Sequence, residues 1–153
     1  MFDVECRDAS TGDGVFLSVT SNTKGKDIFE LPSSFFLDQL FAPTGRFSFY
    51  GSPTNVKVKK SFVENGKRII EFSFSNLSQS TQAEIPRNAM LVASLPTGME
   101  QAVVLAGSAT ATRWRTKGSE SAIRKTIDSF NASPSPKTSM KVRAKERGFS
   151  EVF

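Results

Sequence analysis

At 153 residues, 38% of them hydrophobic, the chain is long enough to bury a core of its own, and one compact domain is expected. It contains no His and one Cys, Cys6, which excludes Ser-His-Asp and Cys-His catalysis, His-ligated metals, internal disulfides and zinc sites of ordinary ligand count. The net charge of +5 is uneven: residues 113–153 hold ten Lys or Arg against four acids, whereas the preceding residues sum to −1, so a basic face or tail meeting an acidic partner is expected.

In chain order, Phe2–Cys6 and Val15–Thr20 are short and β-rich and flank the turn residues at 8–14, a hairpin pattern. Cys6 reads as a small buried apolar residue on the first strand. Ser33 or Ser34 caps a helix whose Phe36, Leu37, Leu40 and Phe41 recur at helical spacing, and Pro43 and Gly45 end it. Arg46–Tyr50 reads as a short edge segment. The 14 Phe, against one Trp and one Tyr, are expected to supply much of the core volume.

Val56, Val58, Lys60 and Phe62 alternate with Lys57, Lys59 and Ser61 before Asn65-Gly66, a dipeptide favoured in tight hairpins. Ile70, Phe72 and Phe74 then share one face, with Glu71 and Ser73 on the other, which predicts a one-sided antiparallel sheet. Asn76–Pro86 reads as a polar loop, Ala89–Leu95 as a strand, Pro96–Gly98 as a turn and Ala102–Ala106 as a strand, apolar without alternation and therefore central.

Ser119 caps a helix with an apolar stripe of Ala122, Ile123, Ile127 and Phe130, expected to lie on the sheet. Trp114, between Arg113 and Arg115, either anchors that helix to the sheet edge or stacks on a base; the lack of a second stacking platform favours the anchor. Residues 131–136 have linker composition, so residues 1–131 form the domain and 132–153 a basic extension, with a short helix at Met140–Arg147.

The residues expected to meet a partner are Arg113, Arg115, Lys117, Lys137, Lys141, Arg143, Lys145 and Arg147, joined by the apolar Phe149 and Phe153 of the tail. Nucleic acid, anionic lipid and acidic protein surfaces all match that charge. Asp3, Glu5, Asp8 and Asp13 lie near one another in sequence and read as solvated acids rather than a cation site. No glycine-rich phosphate loop or EF-hand spacing is present, no apolar run reaches a membrane span, and no targeting segment is visible.

From Val56 to Phe130 the chain resembles the PsbP family, extrinsic thylakoid-lumen proteins of oxygenic photosynthesis. The residues that carry the resemblance are Phe62-Val63-Glu64-Asn65-Gly66-Lys67, Ile70-Glu71-Phe72-Ser73-Phe74, Val103-Val104-Leu105-Ala106, Arg113-Trp114 and Ile127-Asp128-Ser129-Phe130. The resemblance implies an α+β fold, an antiparallel sheet flanked by helices near 34–41 and 119–130 in an α/β/α sandwich. It also implies a non-catalytic protein without cofactor or small-molecule substrate, peripheral to the thylakoid membrane. Such a protein docks on the lumenal face of a photosystem core or its other extrinsic subunits, photosystem II being favoured. There it helps retain the calcium and chloride of the water-oxidising centre, or assists photosystem assembly; a basic module binding RNA or anionic lipid is the competing reading.

Overall fold

The computed structural model describes residues 4–8, 10–42, 47, 53–78, 81–116 and 118–133. They form a six-stranded, wholly antiparallel sheet with helices on both faces, a mixed α+β fold. The elements are β1 (Val4–Arg7), β2 (Gly14–Asn22), α1 (Ser33–Leu40), β3 (Thr54–Glu64), β4 (Lys67–Leu77), β5 (Glu84–Ser94), β6 (Gln101–Thr110), α2 (Ala111–Thr116) and α3 (Ser119–Ser129). In space the strands run β1-β2-β6-β5-β4-β3.

The apolar run of β6 lies centrally, between β2 and β5, as its lack of alternation predicts. One face of the sheet carries Phe16, Phe72, Phe74, Ala89, Leu91 and Val104 beneath Phe36, Leu37 and Leu40 of α1. Phe47 joins this layer, its ring 5.2 Å from Phe16 and 4.7 Å from Phe74 between centroids. The core on this face is therefore largely phenylalanine, packed edge to face or tilted as ring quadrupoles favour. The opposite face carries Ile69, Met90, Val92 and Leu105 beneath Trp114, Ile123 and Ile127, so Trp114 is the buried anchor of α2.

Several boundaries differ from the sequence reading, each for a local reason. Neither Ser33 nor Ser119 caps its helix: the N-caps are Pro32 and Gly118, the latter at φ +77. The two hydroxyls are engaged elsewhere, Ser33 by Arg68 and Ser119 by Asp13. The stretch 76–86 is mostly strand, because β4 and β5 pair as far as Leu77 and Glu84. Pro86 is tolerated there because β6 stops opposite Arg87, so no ladder hydrogen bond is lost on that side.

In β4, Glu71 and Ser73 lie opposite Ile70, Phe72 and Phe74 as expected, but Ile69 adds an apolar contact on that second face, packing under α3. β3, at the sheet edge, is exposed along its whole length. Extra residues at positions 55–56 and 59 shift its register, and Asn55 takes a left-handed φ of +54. Val58 consequently pairs with Phe72 while Lys60 pairs with Glu71, so the alternation read from the sequence does not hold a single face. Ala122 is exposed and Phe130 half-buried, which leaves Ile123 and Ile127 as the buried stripe of α3. Cys6 is also exposed, because β1 is an edge strand with every residue open to solvent. Pro43, Gly45 and Arg46–Tyr50, Phe47 excepted, fall outside the described residues.

A further bulge, in β2 between Val19 and Asn22, frees backbone groups that side chains then satisfy. Gln39 of α1 donates to the Val19 carbonyl and accepts from Ser21 N–H, while Thr20 Oγ1 accepts from Ala102 N–H at 3.0 Å. Arg68 fastens the chain leading into α1. Its Nη1 donates to the carbonyls of Ile28 (2.8 Å) and Leu31 (2.7 Å), and its Nε to Ser61 Oγ at 2.8 Å.

Candidate functional site

Cross-strand partners share a face of the sheet, so the pairings Lys57 with Ser73 and Lys60 with Glu71 put both lysines on the α2–α3 side. Lys59 reaches the same side, donating to Asn88 Oδ1 at 2.7 Å. Among the described residues none of these three lysines makes an ion pair. The carboxylate opposite Lys60, Glu71, is committed to Arg124 at 2.6 Å, and Glu120 holds the same guanidinium at 3.1 Å. The Glu71 hydrogen bond, ahead of that from Glu120, raises the Arg124 pKa above its ordinary value against a burial that lowers it.

Arg115 on α2 and Lys125 on α3 are exposed on helices that cover this side of the sheet. The result is an edge strand with three uncompensated cations beside an α-layer with two more. The exposed Val56, Val58, Phe62 and Val63 give β3 apolar contact area as well. A strand with charge and apolar surface can dock an acidic protein surface. Lys57, Lys59 and Lys60 were not among the contacts expected from the sequence, because the charge count up to residue 112 is slightly negative overall. The run Lys57-x-Lys59-Lys60 between valines was the available signal, and only the sheet order reveals that its compensating acids lie elsewhere.

Of the residues expected to meet a partner, Arg115 is exposed, whereas Arg113 is engaged internally: its Nε donates to Asp13 Oδ2 at 2.7 Å. The same oxygen accepts from Ser119 Oγ at 2.9 Å. Asp13 thus ties the β1–β2 turn to both α2 and α3. Lys117, Lys137, Lys141, Arg143, Lys145, Arg147, Phe149 and Phe153 lie outside the described residues, as does the short helix read at Met140–Arg147.

The acids near the first hairpin have structural partners. Asp8 Oδ1 accepts from the Ser10 N–H and hydroxyl, and the hydroxyl first, then the backbone bond, lower its carboxyl pKa. Asp13 holds Arg113, and Glu5 lies 3.8 Å from Arg7. Asp3 is outside the described residues. Among the described residues no three acids, Cys or His converge as metal ligands, and no helix is long and apolar enough to cross a membrane.

No protein-family model and no curated protein matches this chain. Among solved structures, a Pseudomonas aeruginosa protein of unknown function, described as a candidate regulator, aligns over 88% of this chain and 85% of that chain. The identity is 7% and the TM-score 0.47, a likeness that carries no assignment of function.

Proposed function

We propose that this chain is a non-catalytic, PsbP-like docking subunit that binds the lumenal side of a photosystem, photosystem II being favoured. In this role it stabilises the complex and its oxygen-evolving centre. The observation that carries the reading is the uncompensated basic edge: Lys57, Lys59 and Lys60 make no ion pair among the described residues and stand on the same side as Arg115 and Lys125. Exposed cations of this kind steer association with an acidic partner and make it sensitive to salt. The motif residues support it too. Phe62–Lys67 span the end of β3, the turn and the start of β4, Val103–Ala106 lie in the central strand β6, Arg113-Trp114 in α2, and Ile127–Phe130 at the end of α3.

A role in photosystem assembly uses the same surface and differs only in when the partner is bound. The test is stoichiometric binding of the full chain to a photosystem preparation, with release by a salt wash. The Lys57→Gln, Lys59→Gln, Lys60→Gln triple variant is expected to bind at least tenfold more weakly with unchanged thermal stability. Tight, steeply salt-dependent binding to RNA in a gel shift, together with no binding to thylakoid complexes, would overturn the proposal in favour of a basic nucleic-acid module.

A further inference from the structure

Two partly or fully buried arginines sit on the α1 face of the sheet and are treated differently by their surroundings. Arg68 uses Nε, Nη1 and Nη2 in hydrogen bonds to Ser61, Ile28, Leu31 and Ser33, and its guanidinium carbon lies 5.8 Å from the centre of the Phe36 ring. It is a structural clamp. Arg87 uses only Nη2, which donates to the Gly12 carbonyl and to Ser108 Oγ, each at 3.0 Å. Its Nε and Nη1 have no partner among the described residues, and no carboxylate there forms an ion pair with it. Burial lowers the Arg87 pKa, opposed by the nearby charge of Asp13.

Arg87 lines a pocket of about 190 Å³ at one end of the α1 face, with Phe16 and Phe47 as apolar wall and Glu5, Arg7 and Ser108 as polar lining. That volume lies below the roughly 300–1,000 Å³ of sites for drug-sized ligands, so a compact ligand fits it. Glu5 is opposed by Arg7 at 3.8 Å and Asp13 is taken by Arg113 at 2.7 Å, so Arg87 has no carboxylate partner of its own among the described residues. A planar guanidinium with free N–H groups matches an oxyanion by geometry as well as charge. We propose that this pocket binds a small oxyanion of phosphate or sulfate size, held by the Arg87 guanidinium and assisted by Arg7 and the Ser108 hydroxyl. The site is distinct from the basic β3 edge and does not depend on the docking role.

The test is thermal unfolding of the full chain titrated with sodium phosphate and with sodium sulfate, against sodium chloride at matched ionic strength. Two-dimensional amide spectra are recorded along the phosphate titration. The expected result is a saturable rise in Tm with either oxyanion beyond that with chloride, and amide shifts centred on Gly12, Gly14 and Ser108. Arg7→Gln alters a half-exposed side chain and should fold normally; with it, and with Arg87→Lys, phosphate should bind at least fivefold more weakly. A rise no greater than that with chloride, amide shifts centred elsewhere, or an Arg7→Gln variant that binds phosphate as tightly as the parent would each overturn the proposal.

Discussion

Replacing Arg68 by Met tests how the α1 layer is held to the sheet. Arg68 is 8% exposed, and its guanidinium is the hydrogen-bond donor to two backbone carbonyls, Ile28 and Leu31, in the segment entering α1. Methionine keeps most of the aliphatic stem but removes every donor, leaving those carbonyls buried without it. An unsatisfied buried acceptor costs about 1–3 kcal/mol, so the two together cost about 2–6 kcal/mol. Releasing the guanidinium from burial, which lowers its pKa in the fold, returns part of this. The net loss worked from these contacts is about 2–4 kcal/mol, a large share of the 5–15 kcal/mol typical of a folded domain. Urea unfolding of parent and variant would show it as a lower midpoint with unchanged slope, and amide exchange should accelerate first at Ile28 and Phe36. A loss below about 1 kcal/mol would refute the reasoning, because it would mean the two carbonyls find other partners at little cost.

Three further outcomes are expected. Gly107→Ala should destabilise by about 1–3 kcal/mol in urea unfolding through overpacking, since a Cβ there meets Ile123 Cγ2 at 2.7 Å and Val15 Cγ1 at 2.9 Å. A double-mutant cycle of Asp13→Ala with Arg113→Ala should give a coupling energy of about 0.5–3 kcal/mol, and zero coupling would contradict the 2.7 Å ion pair. The folded chain lowers the Asp8 pKa, so below about pH 4 the unfolded state binds more protons and stability falls as pH falls. Asp8→Asn should flatten that dependence, measured as Tm against pH between about 2 and 6.

Much of this fold could be read from local chemistry. The Asn65-Gly66 turn, with Asn65 at φ +52 and Gly66 at +74, fixes the β3–β4 hairpin as the dipeptide predicts. The helical spacing of Phe36, Leu37 and Leu40 and the apolar run in β6 named their burial in advance. What local patterns could not convey was competition for the same groups. Ser33 and Ser119 are chemically suited to capping, yet Arg68 and Asp13, distant in sequence, take their hydroxyls. Likewise, Arg113 counted as a free cation in composition but pairs with Asp13 a hundred positions away.

By itself the sequence determined that the protein has no histidine chemistry and no internal disulfide, and that its core would be rich in phenylalanine, because these follow from which residues are present. Only the tertiary structure decided which charges remain unpaired. Ion pairing depends on sheet order and register, and these spend Glu71 on Arg124, leave the lysines of β3 without a carboxylate among the described residues, and set the half-buried Arg87 beside a pocket with most of its donors unused by those residues.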